Sequence, residues 1–184
     1  MDKNRQILIG SPIRQSCDIL VNFISFLKNI VKKNLSINYF FIDDNDDVNS
    51  SNLLKNFSLE SNDKVIIEKG DKIDNYIRTD NMHYWKENLI WKIAEYKNRI
   101  IDYTKKNHYD YLFLIDSDIM VHPKTLLSLI NSNKDIISEI FWTRWQKIPV
   151  NYHKFGCVTN TLLLIKNEMK YYLKMNLIKN IQTL

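Results

Sequence analysis

The chain alternates between short apolar runs and longer stretches whose apolar residues recur every three or four positions. The short runs predict strands and the longer stretches predict helices. Gln6–Ile9 is the first apolar run, and Gly10-Ser11-Pro12 after it is a turn signal. From Asp18 to Lys33, the residues Ile19, Leu20, Phe23, Ile24, Leu27, Ile30 and Val31 form one apolar face of a helix, with Ser16 placed to cap it. Asn38–Ile42 predicts a second strand, Ser51–Phe57 a short helix, and Lys64–Glu68 a third strand. Gly70–Met82 is polar and irregular and reads as a loop. Trp85–Lys105 carries the longest helical pattern, with Leu89, Ile90, Ile93, Ala94, Ile100 and Ile101 on related faces. Tyr111–Ile115 is apolar at every position, which predicts a central strand covered on both sides. Pro123 suits the first turn of a helix that continues through Thr125–Ile130, because its missing N–H has no partner there anyway. Asp135–Phe141 and Thr161–Ile165 read as two further strands.

Strands that alternate with helices predict an α/β fold: a Rossmann-like three-layer sandwich with a mostly parallel central sheet. Ligands of such sheets gather at the carboxyl ends of the strands. That rule selects Pro12 and Arg14 after the first strand, Asp43 and Asp44 at the tip of the second, and Asp116 and Asp118 after Tyr111–Ile115. All three clusters are expected along one edge of the sheet.

Composition narrows the class. The 184 residues suit one domain, and 45% apolar with 26% charged content is that of a globular protein. No run of 18 uncharged apolar residues offers a membrane span. MDKNRQILIGSPIRQ lacks the apolar core and cleavage site of a signal peptide, so a cytoplasmic location is the expectation. Cys17 and Cys157 show no metal-ligand spacing and read as free thiols, with a pair brought together by folding as the alternative. The net charge of +5 is spread along the chain, with paired lysines only at Lys32–Lys33 and Lys105–Lys106. A nucleic-acid surface is denser than that, so no nucleic-acid partner is expected. A phosphate-bearing small molecule, or weak association with an anionic membrane surface, fits the charge.

In an extended Asp116-Ser117-Asp118 segment, both carboxylates would point the same way. Their repulsion raises a pKa unless a cation intervenes. A hard divalent metal, Mn²⁺ or Mg²⁺, completes its shell with waters and substrate phosphates and suits such a pair. The simpler reading is a strand end at which Ser117 or Asp118 satisfies backbone amides. A carboxylate at Asp43 or Asp44 can accept an N–H of a base or a hydroxyl of a ribose. Asp46 and Asp47 read as an acidic turn.

ILIGSPIR, FFIDDNDD, AEYKNR and YLFLIDSD, in that order, resemble the family 2 glycosyltransferases and their relatives with the GT-A fold, over roughly residues 6–145. HPKTLLSLI and DIISEIFWTRW also resemble the segment that follows Asp-x-Asp in a bacterial branch of that group. The resemblance implies a single GT-A-like domain over residues 1–184. It implies transfer of a sugar from a nucleotide-diphosphate sugar to a hydroxyl of a glycan, protein or lipid acceptor. Pro12 and Arg14 then meet the nucleotide, and Asp43 or Asp44 reads the base or ribose. Lys97, where the family often has Arg, is followed by Asn98 as in the family's pair. Either Lys97 or Arg99 faces the diphosphate, but not both, since adjacent helix residues point about 100° apart. Asp116 and Asp118 match the metal and diphosphate motif, with Asp118 the direct ligand. Solvated helix positions are the competing reading for Lys97 and Arg99.

The pattern departs from the family at the catalytic base, which lies there in an acidic segment after a further strand. Here no Asp or Glu follows Glu168, and the later histidine of the metal shell is missing. The expectation is a domain lacking its C-terminal part, or a catalytically incomplete nucleotide-sugar-binding relative. Glu139 is the upstream candidate for the base, with a buried, partnered carboxylate as the alternative. His122 either reaches a ligand or caps the helix after Pro123. Trp142 and Trp145 either line the acceptor site through their ring faces or pack at a strand end. Trp85 and Trp91 read as core or helix-contact residues. A competing enzyme class is a phosphohydrolase with Asp116 as nucleophile.

Overall fold

The computed structural model describes residues 4–71, 78–79, 82–83, 87–138 and 162–166. In chain order the elements are β1 (Arg5–Ile13), α1 (Cys17–Lys28), β2 (Leu35–Asp43), α2 (Val48–Glu60), β3 (Val65–Lys69), β4 (Arg78–Thr79), β5 (Met82–His83), α3 (Glu87–Lys106), β6 (Tyr111–Ile115), α4 (Thr125–Asn131), β7 (Ile136–Ser138) and β8 (Leu162–Lys166). Six strands form one sheet in the order β3-β2-β1-β6-β8-β7, and β4 pairs with β5 alone. β1, β2, β3 and β6 are mutually parallel. β8 runs antiparallel to both β6 and β7, so it is the one reversed strand of this sheet. The fold is therefore the expected mostly parallel α/β sandwich, with one reversed strand near an edge.

Side-chain alternation along the strands builds the layers. Odd-numbered residues Ile7, Ile9, Ile37, Tyr39, Phe41, Phe113 and Ile115 pack into one core with α1, α2 and α4. Even-numbered residues Leu8, Phe40, Ile42, Leu112 and Leu114 pack into a second core with Tyr96, Ile100 and Ile101 of α3. All five residues of β6 are buried, as a strand covered on both faces requires. Gly10 lets α3 approach β1, because a Cβ at that position would overlap Cγ2 of Ile100. Ile100 is β-branched and stiff at χ1 in a helix, so it has little freedom to yield.

Several boundaries differ from the sequence pattern. Gly10-Ser11-Pro12 is not a turn: β1 continues through it in register with β2, pairing Pro12 with Ile42. The carbonyl of Ile13 accepts from the N–H of Asp44, so Ile13 bonds toward β2 and Pro12 faces the β6 side. The β6 ladder ends at Gly10, so the missing N–H of Pro12 costs no sheet bond. Helix α1 stops at Lys28 although Ile30 continues the apolar face and is buried. Ser16 stands at the cap position without a side-chain cap bond. Helix α4 begins at Thr125, two residues after Pro123. Within the span expected to be loop, β4 and the start of β5 are short strands. Of the strand expected over Asp135–Phe141, Ile136–Ser138 is present, and the residues from 139 onward lie outside the described ones. Trp91 is not core, being 39% exposed. No described helix is long and apolar enough to cross a membrane.

Candidate functional site

The chain turns back at β1. β2 and β3 lie on one side of it and β6 on the other, so the strand order reverses between β1 and β6. Arg14, Asp44 and Asp116 follow the carboxyl ends of β1, β2 and β6. All three carry even numbers, in phase with the strand residues that face α3. Helix α3 answers with Lys92, Tyr96 and Lys97, and the contacts confirm the juxtaposition.

Asp44 is the centre of one group. It is 5% exposed. Its Oδ1 accepts a hydrogen bond from the Tyr96 hydroxyl at 3.1 Å and lies 2.9 Å from Lys92 Nζ. Its Oδ2 lies 3.6 Å from Arg14 Nη1. Lys92 Nζ is buried and makes an ion pair without hydrogen-bond geometry. It also stands 5.6 Å from the centroid of the Tyr96 ring, where the ring face attracts a cation. The Tyr96 hydroxyl accepts from the N–H of Asp71 at 2.6 Å. Burial, and then the charge of Asp44, hold the Tyr96 phenol well above its ordinary pKa. Gly70 fits against this group because a Cβ there would meet Asp44 Oδ1 at 2.7 Å and the Tyr96 hydroxyl at 2.8 Å.

Arg14 has a second and closer partner. Its Nη2 and Nε donate to Asp46 Oδ2 at 2.6 and 3.0 Å. The two loops that carry these groups are laced together by Asn45, itself 1% exposed. Asn45 Oδ1 accepts from the N–H of Gln15 at 2.8 Å, and its Nδ2 donates to Asp43 Oδ1 at 2.7 Å. Asp47 caps α2, accepting from the N–H groups of Asn49 and Ser50. It is therefore not a free acidic turn residue.

Asp116 anchors the other group. Lys97 Nζ lies 3.0 Å from Asp116 Oδ1, with the two side chains 9% and 19% exposed. Lys97 is thus the member of the Lys97/Arg99 pair that faces the strand ends, and a solvated position does not describe it. Arg99 turns away, pairing with Glu68 and lying over the Tyr96 ring. Asp116-Ser117-Asp118 is not extended. The N–H of Ile119 donates to the carbonyl of Asp116 at 3.1 Å and closes a turn. Ser117 and Ile119 point inward and are buried, which leaves Asp118 exposed on the turn. The expectation that both carboxylates share one direction through strand alternation therefore fails, because a turn replaces that alternation.

The structure brings Arg14, Asp44 and Asp116 to one edge and one face, as the strand-end rule required, and Lys97 of α3 meets Asp116 there. Pro12 sits within β1, one residue pair from the tip of β2. Asp43 is in phase with the opposite face and bonds to Asn45, so Asp44 is the aspartate directed at α3. Asn98 follows Lys97 on α3 and takes no part in these contacts. His122 Nδ1 accepts from the N–H of Lys124 at 3.2 Å, a local bond just ahead of α4, whose N-cap position is Lys124 and carries no side-chain cap bond. Glu139, Trp142 and Trp145 lie outside the described residues, as do Trp85 and Glu168. Cys17 is a free thiol, and Cys157 lies outside the described residues. Sequence reasoning missed Lys92, Tyr96, Asp46 and Gly70. The signal for two of them was present: Lys92, Tyr96 and Ile100 recur every four residues, on the face that meets Gly10.

A divalent cation of the Mn²⁺ or Mg²⁺ type takes oxygen donors and needs only one or two protein carboxylates. Asp116 and Asp118, two residues apart on one turn, supply that donor chemistry. Among the described residues no cluster of three or more His, Cys, Asp or Glu side chains offers a closed metal cage.

Neither a protein-family model nor a curated protein sequence matches the chain. Among solved structures the chain is similar to residues 1–349 of S. aureus TarS, with a TM-score of 0.46 and 9% identity, over 71% of this chain and 34% of that one. The chain thus spans about a third of that structure's length. The architecture stated above rests on its own strand order and layer packing.

Proposed function

We propose that the chain is the nucleotide-binding part of a glycosyltransferase that takes a sugar from a nucleotide-diphosphate donor. The observation that carries this reading is the convergence of Arg14, Asp44, Lys97 and Asp116 on the α3 face at the β1/β6 switch point. Open α/β sheets bind ligands at that place. The four quoted motifs that resemble the GT-A enzymes supply those residues in the same order along the chain.

Roles follow from chemistry and position. Lys97, a buried cation beside the motif aspartate, faces the diphosphate. Arg14 and Asp44 shape the nucleotide end, with Lys92 and Tyr96 holding the Asp44 side chain in place. Asp116 and Asp118 would hold the divalent cation, and when bound it stabilises the charge left on the departing diphosphate. The acceptor hydroxyl, of a glycan, protein or lipid, requires a carboxylate base, for which Glu139 is the candidate.

The test is calorimetric titration of UDP and of GDP into the chain, with and without Mn²⁺. One of the two should bind, and only with metal. Asp118→Ala should weaken that binding by at least about tenfold, which is about 1.4 kcal/mol. Because Asp118 is exposed, the variant should keep the parent's circular dichroism. Binding unchanged in Asp118→Ala would remove the metal assignment. No binding of either nucleotide would remove the donor reading.

A further inference from the structure

We infer that the amino-terminal edge of the sheet, opposite the candidate site, is a docking surface for an anionic phospholipid bilayer. β1, β2 and β6 are parallel, and β7 runs with them because β6 and β7 are both antiparallel to β8. Cations stand where these strands begin. Arg5 opens β1, Lys33 lies just before β2, Lys106 ends α3 ahead of β6, and Lys134 lies just before β7. All four are exposed. Among the described residues none of the four has an ion-pair partner, whereas Lys28, Lys32 and Lys166 on the same edge pair with Glu60, Asp63 and Asp135. Asp44, Asp46, Asp116 and Asp118 gather at the other end of the strands. Charge is thus segregated along the strand axis, which orients the molecule in the field of a charged surface.

The turns hold these cations in place. Asn34, His108 and Asn133 take left-handed backbone angles in the turns that lead into β2, β6 and β7. Backbone bonds from Leu35 to Lys32, from His108 to Lys105 and from Asn133 to Ile130 close those turns beside Lys33, Lys106 and Lys134. Helix C-termini favour cations, which accounts for Lys28 and Lys106. It does not account for Arg5 at the start of a strand, or for Lys33 and Lys134 beyond the ends of α1 and α4. The strand starts from β2 to β7 form a row about 20 Å long at ordinary strand spacing, which suits a flat partner. Leu59, near the end of α2 on this edge, is 84% exposed. An apolar side chain among cations gains from the boundary between headgroups and acyl chains, and gains nothing from a nucleic-acid backbone. β8 brings the chain to the same edge at Lys166, and the sequence beyond it carries Lys170, Lys174 and Lys179 with no Asp or Glu after Glu168. Docked on this edge, β1 with its nine residues holds the candidate site about 30 Å from the bilayer. On the donor reading above, the acceptor is then soluble or carried on a chain of that reach.

The experiment is co-sedimentation of the full chain with phosphatidylcholine vesicles, with and without phosphatidylglycerol, at low and high salt. The chain should bind only the vesicles that contain phosphatidylglycerol, and high salt should release it. Lys33→Glu combined with Lys106→Glu should weaken binding by at least about tenfold. Lys69→Glu combined with Lys124→Glu makes the same change of net charge at exposed positions of the carboxyl edge, and should bind as the parent does. Lys33→Arg with Lys106→Arg should also bind as the parent does, which separates charge from any loss of folding. No binding to phosphatidylglycerol at low salt overturns the proposal. Equal losses in the two Glu pairs overturn it too, since net charge alone would then suffice. A single-stranded oligonucleotide that displaces the chain from vesicles at equal phosphate concentration would make the edge a nucleic-acid surface instead.

Discussion

Asp44 shows how much a single residue's meaning depends on its neighbours. A carboxylate at 5% exposure has lost most of its water and needs cations and donors around it instead. Here Lys92, Arg14 and the Tyr96 hydroxyl do so from two elements. Gly70 closes the group from a third side, and its hydrogen is the reason the side chains fit. Gly70→Ala should therefore destabilise the fold by about 1–3 kcal/mol, the usual result of forcing a methyl into a filled space. Urea unfolding monitored by fluorescence checks it, and a variant as stable as the parent would show that Asp44 and Tyr96 can move apart at no cost. None of this was visible as an acidic string. The letters DDNDD do not distinguish Asp44, which holds α3, from Asp46, which holds Arg14, or from Asp47, which caps α2.

At the scale of elements, Asp47 joins local sequence to helix geometry. Its carboxylate accepts from the N–H groups that open α2, and from the Cys17 thiol at the start of α1. The bond from Asn49 and then that from Cys17 hold its pKa below the ordinary aspartate value of 3.8. A lowered folded-state pKa means stability that is fully present above the unfolded value and is lost as pH falls through the folded one. Asp47→Ala should accordingly lower the melting temperature at neutral pH. The gap between parent and variant should then close in acid below 3.8. Thermal scans across that range decide it, and a gap that stays constant into strong acid would mean that the carboxylate's charge is not what stabilises α2. Elsewhere the element boundaries were less legible. A glycine and a proline in sequence signal a turn, yet β1 absorbs both, because one permits close approach of α3 and the other lies where the β6 ladder has ended.

For the whole molecule, strand order sets both stability and site. β1 and β6 lie inside the sheet between two cores, whereas β7 is an end strand of three partly exposed residues. Core strands open only with global unfolding, and edges open locally. Amides of Ile7–Ile9 and Leu112–Leu114 should thus exchange slowest, and those of Ile136–Ser138 well before them. Hydrogen exchange followed by mass spectrometry measures this, and early exchange in β6 would contradict its interior place. The sequence by itself determined the α/β class, the buried character of Tyr111–Ile115 and the aspartates at strand ends. Those features depend on alternation and on where polarity begins, and both are written in local order. Only the tertiary structure decided that Lys97 rather than Arg99 meets Asp116, that Asp44 rather than Asp43 meets α3, and that Lys92 and Tyr96 are the residues that meet Asp44. Such choices depend on how a helix is rotated against a sheet, and that rotation is fixed by distant packing such as Ile100 on Gly10.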